Sequence, residues 1–155
     1  MIDTPQIVQT DARLAAVIHL TIPRAEIQHV MGPAIGEVMA TITAQGIPPA
    51  GPWFSHHLTM DDPATFDFHV GVPVATPVAP AGRVVPGSLP AARVARTVYH
   101  GSYEGLGDAW GQLTAWIEAN GHTPAADLWE YYVTDPGANP DPATWQTELN
   151  RPLVG

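Results

Sequence analysis

The sequence repeats itself once, and the repeat determines the expected fold. Residues 46–59 read GIPPAGPWFSHHLT and residues 121–134 read GHTPAADLWEYYVT, which align without a gap. Further along the chain, DPATFDFHVGVP (62–73) aligns in the same way with DPATWQTELNRP (141–152). Two copies in one short chain predict two similar modules related by a pseudo-twofold axis. A cleft between such modules is a common place for a ligand.

The two copies differ at three positions that bear on chemistry. The aligned pairs are Ser55 with Glu130, His57 with Tyr132, and His69 with Glu148. The second copy therefore carries the carboxylates. We expect functional residues at the positions where the two copies differ.

The composition limits the class of protein. With 155 residues, of which 45% are hydrophobic, the chain fits a single domain over residues 1–155, with modules at about 6–74 and 82–154. A net charge of -9 with six basic residues argues against direct nucleic-acid binding; it favours cationic partners and serves solubility equally well. The absence of cysteine excludes disulfides and thiolate metal sites. Because the sequence has neither a basic signal region nor a long apolar run, we expect a cytoplasmic protein without a membrane span.

The first module is expected to begin with a strand and a helix. Alternating Val, Ile and Thr residues predict a strand from Gln6 to Ile22, and a second short extended run follows over Ala25 to Met31. The helix is expected to open at Gly32-Pro33 and to end at Gly46. Its apolar stripe consists of Ile35, Val38, Met39 and Ile42.

The second module is expected to follow the same order after a connector. Residues 73–90 are dense in Pro, Ala and Gly and read as that connector, with one short strand within Gly82 to Gly87. Ala92 to Tyr99 is rich in Val, Arg and Thr and predicts a strand. A helix from Tyr103 to Asn120, ended by Gly121, has one apolar stripe formed by Leu106, Trp110, Leu113, Trp116 and Ile117.

Each module is expected to end in a β-hairpin. The predicted hairpin strands are 53–60 with 65–72 and 128–134 with 144–149. Their turns fall at Asp61-Asp62-Pro63 and at residues 135–142. Each module is therefore β-α-β-β. This order predicts an α+β fold, in which an antiparallel sheet carries two helices on one side and a groove at the pseudo-twofold axis.

Several motifs together resemble a known family. They are RTVYHGSYEGLGDAWGQLTAWIEANG (96–121), LWEYYVTDP (128–136), WQTELNRPL (145–153) and FDFHVGVPV (66–74). In combination they resemble the GyrI-like small-molecule-binding family, the effector-binding domain found fused to AraC- and MerR-type transcription regulators and also standing alone. The resemblance implies a duplicated fold whose groove binds hydrophobic, often cationic compounds near a buried glutamate flanked by aromatic residues. Some standalone members resemble hydrolases of cyclopropane-bearing genotoxins.

Glu130 is the main candidate for a functional residue. Strand alternation places Glu130 and Tyr132 on one face of the sheet, and Trp129 and Tyr131 on the other. A carboxylate among aromatic rings is costly to bury unless it has a partner, and a cationic ligand could supply one. Desolvation would also raise its pKa, which suits general acid or base chemistry. An exposed edge carboxylate is the alternative interpretation.

Aromatic residues are expected to form the walls of the site. Tyr103, in the turn before the second helix, suits a groove rim and could orient a ligand or a water molecule. Trp110 is compatible with either the core or the groove lining. Trp53 and Phe54 are adjacent and point to opposite faces, so one of them lines the groove, and the sequence leaves open which.

Two polar residues complete the set of predicted ligand-binding residues. His57 is the counterpart of Tyr132 and should point into the groove across the pseudo-axis from Glu130. Glu148 lies on the neighbouring strand and could share the groove with Glu130, in which case one of the two carboxylates would titrate high. A solvated face is the alternative for Glu148.

The histidines do not predict a metal site. His56 and His57 are adjacent in a strand and point oppositely, so at most one of them could join a site with His69. Two histidines without further ligands are a weak pattern for zinc. We therefore predict neither a metal nor a cofactor.

These features lead to alternative functional hypotheses. In the first, the chain is a binding module for a hydrophobic cation, and a partner regulator protein would be needed for any direct control of transcription. In the second, it is a hydrolase in which Glu130 acts as general base on a water oriented by Tyr103 or His57. A third hypothesis is an acidic interaction protein that inhibits a larger enzyme by surface mimicry.

Overall fold

The computed structural model of the protein describes residues 2–59, 63–134 and 140–154. Within these ranges, the chain forms nine antiparallel β-strands and two α-helices. The strands are β1 (Gln6–Gln9), β2 (Arg13–Pro23), β3 (Phe54–Thr59), β4 (Thr65–Pro73), β5 (Val85–Leu89), β6 (Arg93–His100), β7 (Thr123–Pro124), β8 (Leu128–Tyr132) and β9 (Gln146–Val154). The helices are α1 (Ile27–Ala44) and α2 (Leu106–Ala119).

The strand order confirms the duplicated α+β fold. The sheet runs β1-β6-β9-β8-β3-β4-β2-β5, with β7 paired to β9. It contains β2-α1-β3-β4 and β6-α2-β8-β9 as equivalent units that meet where β3 pairs with β8. In this pairing Ser55 lies directly opposite Glu130, its aligned residue in the other copy. The pseudo-twofold axis therefore passes between Ser55 and Glu130.

Both helices cover the same face of the sheet. Directly paired residues share a face, so Val70, Ser55, Glu130 and Leu149 all point to one side. Helix α1 packs on that side over β2 and β4, and α2 packs over β6 and β9, with β3 and β8 between them. The fully buried helix residues are Ala34, Val38 and Ile42 of α1, and Ala109, Leu113 and Ile117 of α2. Within the described ranges, neither helix combines the length and apolar character that a membrane crossing requires.

Helix α1 begins earlier than the sequence predicts. It starts at Ile27, so the expected extended run over Ala25 to Met31 is wrong, and Pro33 lies inside the helix. Proline lacks the N–H that would bond the carbonyl four residues before it, and here that removes one hydrogen bond in the second turn. The partly buried Ile27, Val30 and Met31 pack against the core, and their burial outweighs this loss.

The N-terminal segment closes the sheet on itself. The single strand expected over Gln6 to Ile22 is two strands, because β1 pairs with β6 at one edge while β2 pairs with β5 at the other. Three residues connect β1 to β2, so the end of β1 lies no more than about 14 Å from the start of β2, which is the strand next to the opposite edge. The Thr10 hydroxyl donates to the carbonyls of Pro90 and Ala92, at 3.0 and 3.1 Å. The sheet is therefore strongly curled, with the face opposite the helices on the inside.

The ends of the helices and the hairpins agree with the predictions. Gly46 and Gly121 follow α1 and α2 with φ angles of 71° and 77°, a left-handed conformation that glycine adopts readily at a helix C-terminus. Strands β3 and β4 form one hairpin, and β8 and β9 form the other. Residues 60–62 and 135–139, which hold most of the predicted turns, lie outside the described residues. Strand β5 lies in the predicted connector, close to its expected position.

Candidate functional site

Glu130 lies at the centre of a buried hydrogen-bond network. All five residues of β8 are buried, and Glu130 is 8% exposed. Its Oε1 accepts a hydrogen bond from Trp110 Nε1 at 2.6 Å, and its Oε2 accepts one from the Tyr132 hydroxyl at 3.0 Å. Ser55 Oγ lies 2.7 Å from the same hydroxyl. Because the Tyr132 proton is given to Glu130, Ser55 donates in this last bond.

The electrostatics of this network favour a positively charged partner. Burial raises the pKa of Glu130 above its ordinary value, while the hydrogen bonds from Trp110 and Tyr132 lower it in part. Burial also raises the pKa of Tyr132 well above its ordinary value, so its hydroxyl stays protonated and can donate. No ion pair formed by the described residues includes Glu130. In its ionised form, Glu130 is therefore not balanced by any basic side chain in this part of the protein.

Aromatic rings surround the Tyr132 end of the network. The Trp53 ring lies 4.3 Å from that of Tyr132, centre to centre, at an angle of 37°. The Tyr103 ring meets Tyr132 edge-on at 5.9 Å and lies 5.0 Å from the ring of Trp145. We call Tyr132, Trp53, Tyr103 and Trp145 the aromatic cluster. The structure thus places Trp53 and Tyr103 beside Tyr132, on the helix-covered face.

A hollow opens next to the aromatic cluster. Its volume is about 370 Å³, and its lining residues are Met39, Pro49, Gly51, Pro52, Trp53, Val72, Tyr132 and Val133. Glu130 does not line this hollow. The carboxylate instead lies behind Tyr132 and is covered by the indole of Trp110, which is itself partly exposed.

Two of the predicted ligand-binding residues lie on the opposite face. Phe54 is 1% exposed and packs edge-on against Tyr131, with ring centres 5.9 Å apart. Glu148 lies opposite Tyr131 in the sheet and pairs with Arg96, whose Nε is 3.1 Å from its Oε1. The expectation that Glu148 shares the groove with Glu130 is therefore wrong. Residues of neighbouring strands share a face only when they are directly opposite or an even number of positions apart, and Glu148 is one position away from Leu149, the residue opposite Glu130.

His57 lies on the same face as Glu130 but belongs to a different environment. It stacks on Phe68 with ring centres 4.9 Å apart, and its edge contacts Phe66. The Ser55–Glu130 pair separates it from Tyr132 along the β3–β8 ladder. Burial lowers the pKa of His57 to about 4, so the ring is neutral at physiological pH. Its Nδ1 has no hydrogen-bond partner among the described residues.

A second group of histidines lies on the face opposite the helices. His69 packs edge-on against His19, with ring centres 5.1 Å apart, and against His56 at 6.3 Å. His56 also contacts Asp127 at 2.9 Å. As the alternation of β3 predicts, His56 shares this face with His69 and His57 does not. Within residues 2–59, 63–134 and 140–154, no three histidine or acidic side chains converge to hold a metal ion.

The family model of the GyrI-like small molecule binding domain matches residues 3–153. The chain belongs to the GyrI-like family. No curated protein sequence matches this GyrI-like domain at a significant level.

Solved structures share the fold of this GyrI-like domain at low sequence identity. The crystal structure of the EcmrR C-terminal domain has a TM-score of 0.85 and 18% identity, and the match covers 97% of each chain. EcmrR in complex with DNA has a TM-score of 0.83 and 19% identity, and the present chain spans 57% of its length while 97% of the present chain is covered. SAV2435 bound to tetraphenylphosphonium has a TM-score of 0.67 and 13% identity, covering 99% of this chain and 95% of that one.

Two residues of the site were not among the predicted ligand-binding residues. Ser55 is fully buried and holds the Tyr132 hydroxyl, and Trp145 packs against Tyr103. Alternation in β9 gave a usable signal for Trp145, because it places Trp145 on the side of Thr147, which lies opposite Tyr132. For Ser55 the signal was its alignment with Glu130.

Removing the Tyr132 hydroxyl is expected to destabilise this GyrI-like domain. In Tyr132→Phe, both Ser55 Oγ and Glu130 Oε2 lose a buried hydrogen-bond partner, which should lower the free energy of unfolding by about 1–3 kcal/mol. Urea denaturation measures this change. Tyr131→Phe, the same change on the opposite face, removes a hydroxyl that makes one long bond of 3.2 Å to Arg13 and should have a smaller effect. Equal losses in the two variants would contradict the network.

Proposed function

We propose that this GyrI-like domain binds a hydrophobic cation in the groove between its two helices, with Glu130 as the counter-charge. The observation that carries the proposal is the burial of Glu130 without a basic partner among the described residues. A buried carboxylate pays a desolvation penalty that a bound cation would offset. The electron-rich faces of neighbouring aromatic rings would add cation–π attraction of about 0.5–2 kcal/mol.

The surroundings of Glu130 supply the apolar part of the site. The hollow beside Tyr132 and Trp53 would receive a flat or bulky apolar group, with Met39 and Val72 behind it. To contact the carboxylate, the ligand has to take the place of the Trp110 indole at Oε1. In this proposal Trp110 acts as a cover over Glu130, and Tyr103, whose ring contacts that of Tyr132, forms the rim of the groove.

Two of the structural relatives support this proposal, one for the class of ligand and the other for a role in transcription. SAV2435 was solved with tetraphenylphosphonium, a hydrophobic cation, and EcmrR was solved in complex with DNA. For the present chain, a net charge of -9 with six basic residues opposes direct DNA binding. We therefore propose that any role in transcription depends on a partner regulator that contacts DNA.

A pair of ligands with the same shape and opposite charge tests the proposal. Tetraphenylphosphonium and tetraphenylborate both present four phenyl groups around a central atom, but one is a cation and the other an anion. By isothermal titration calorimetry, we expect the phosphonium to bind and the borate to bind at least about 30-fold more weakly. Equal affinities, or binding of neither ligand, would contradict the proposed function.

The affinity for the cation is expected to fall as the pH decreases. Burial raises the pKa of Glu130, and below that raised value the carboxyl of the free protein is protonated and neutral. Binding of a cation requires the ionised form, so the dissociation constant should rise by up to about tenfold per pH unit below this pKa and stay constant above it. Calorimetry between about pH 8 and pH 5 measures the change. Glu130→Gln should remove the dependence, whereas an affinity that increases on acidification would contradict it.

The hydrolase hypothesis rests on the same carboxylate and is the second candidate. The raised pKa of Glu130 suits proton transfer, which favours this chemistry. However, both carboxylate oxygens already accept hydrogen bonds, from Trp110 and Tyr132, and this arrangement fits binding of a ligand better than activation of a water. Hydrolysis of an electrophilic cyclopropane compound by the wild-type protein, lost in Glu130→Gln, would establish the enzyme; turnover that survives the substitution would exclude Glu130 as the base.

A further inference from the structure

A second hollow lies on the other side of strand β8. Its volume is about 500 Å³, within the range typical of small-molecule sites. Trp129 and Tyr131, which alternate with Glu130 and Tyr132 along β8, lie in its wall. Thr10 and Leu89 lie in the wall too, so the hollow sits inside the curl of the sheet, where the two edges meet. It is separate from the hollow beside the aromatic cluster, with which it shares Pro52 and Val133.

The lining of this hollow contains both basic and acidic side chains. The chain has six basic residues, all arginines, and a net charge of -9. Two of the six, Arg13 and Arg96, line the hollow, together with the acidic residues Asp11 and Glu148. The charge of Arg96 is balanced by Glu148, whose Oε1 lies 3.1 Å from its Nε. Arg13 has no such balance, because none of the ion pairs formed by the described residues includes it.

Arg13 is positioned to receive an anion. Its Nη1 donates to the Tyr131 hydroxyl and its Nη2 to the carbonyl of Ala50, both at 3.2 Å, which is long for a guanidinium hydrogen bond. The guanidinium carbon lies 5.8 Å from the centre of the Tyr131 ring. If a ligand carboxylate replaced these neutral acceptors, the Arg13 guanidinium would make shorter, charge-assisted hydrogen bonds in the bidentate geometry typical of arginine.

Tyr131 offers a second donor at the same place. Its hydroxyl oxygen accepts from Arg13, and the hydroxyl proton has no acceptor among the described residues. Burial raises the pKa of Tyr131, so the hydroxyl keeps this proton at neutral pH. Trp129 and Leu89 also line the hollow but are only 1% and 2% exposed, so the accessible apolar surface comes from Pro52 and Val133. The hollow therefore combines one arginine that belongs to no ion pair of the described residues, one hydroxyl proton without an acceptor among them, and an accessible apolar wall.

We propose that this hollow is a second ligand site, which binds aromatic carboxylates through Arg13 and the Tyr131 hydroxyl. The carboxylate group would bridge the guanidinium and the hydroxyl, and the aromatic group would lie against Pro52 and Val133. This site is opposite in charge preference to the groove over Glu130 and lies on the other face of the same strand. It does not depend on the function proposed for that groove.

The test compares 2-naphthoate with 2-naphthamide, which has nearly the same shape but no charge. By calorimetry, wild-type protein should bind the naphthoate at least about tenfold more tightly than the amide. Arg13→Met keeps an apolar stem of similar length and should lose this preference. Arg93→Met also removes one positive charge, but Arg93 is exposed and does not line the hollow, so this variant should keep the preference.

Further measurements separate this proposal from folding defects and from the groove. Arg13→Met should bind tetraphenylphosphonium as the wild-type protein does, because Arg13 neither lines the hollow beside the aromatic cluster nor bonds to Glu130. If Arg13→Met does not fold, Tyr131→Phe provides the second variant, and it should weaken naphthoate binding several-fold. Equal binding of naphthoate and amide by the wild-type protein, binding of neither, or a preference that survives in Arg13→Met or Tyr131→Phe would overturn the proposal.

Discussion

Replacing Glu130 with glutamine is expected to weaken binding of hydrophobic cations strongly while making the free protein more stable. Glutamine has the shape of glutamate and can still accept from the Trp110 indole, but it brings no negative charge. Loss of a buried charge partner should weaken tetraphenylphosphonium binding by about 30-fold or more, or about 2 kcal/mol. Calorimetry measures this loss.

The gain in stability follows from the direction of the pKa shift. Because the pKa of Glu130 is raised in the folded state above its ordinary value of 4.5, the folded state binds the proton more tightly. Burial of the ionised form therefore destabilises the protein above the unfolded pKa. At neutral pH, Glu130→Gln should raise the free energy of unfolding by about 1 kcal/mol or more, and this gain should shrink as the pH falls toward the ordinary value.

A matched control lies on the other face of the sheet. Glu148→Gln is the same substitution, but Glu148 pairs with Arg96 and does not share a face with Glu130. We expect it to leave tetraphenylphosphonium affinity unchanged. If both variants lost affinity equally, the effect would come from overall charge, and the assignment of Glu130 as the specific counter-charge would be wrong.

Gly71→Ala is expected to be among the most destabilising single substitutions in the chain. Gly71 lies in β4 opposite Val17 of β2. A Cβ at this position would lie 2.4 Å from the carbonyl oxygen of Ala16 and 2.6 Å from a methyl group of Val17. The backbone oxygen belongs to the paired strand and cannot withdraw without opening the sheet. We expect the free energy of unfolding to fall by about 3 kcal/mol.

A glycine-to-alanine substitution on helix α2 should instead stabilise the protein. Gly111 is exposed, and a Cβ there would meet nothing within 4 Å. Gly111→Ala should therefore raise the free energy of unfolding by about 0.5–1 kcal/mol, because alanine loses less backbone freedom than glycine when the helix forms. Urea denaturation of both variants measures the difference. A Gly71→Ala protein as stable as the wild type would show that the sheet can separate locally at little cost.

The internal repeat made the central part of the fold predictable from the sequence. Alignment of the two copies already paired Ser55 with Glu130, and the structure places these residues opposite each other at the axis. Strand alternation correctly separated Glu130 and Tyr132 from Trp129 and Tyr131. Such predictions succeed because they depend only on residues close in sequence. Alternation along a single strand decides which face of the sheet each side chain occupies.

The features that escaped prediction depend on contacts between distant parts of the chain. Helix α1 continues through Pro33 because its first turns pack on the core, which no local pattern records. The break after Gln9 is set by pairing of β1 with β6, more than 80 positions further on. In the same way, Glu148 could be assigned to a face of the sheet only after the register of β8 against β9 was known.

The crossing of β1 and β2 between the two edges of the sheet has a consequence for how the chain folds. The Thr10 hydroxyl contacts residues 80 and 82 positions away, so neither copy completes its own edge without the other. Contacts of such long sequence separation form slowly, since a large loop must close before they are made. During synthesis, the strand edges of the N-terminal copy therefore remain unpaired until the C-terminal copy has also been made. A polypeptide cut between the copies should yield two aggregation-prone fragments, neither of which is an independent half-size protein.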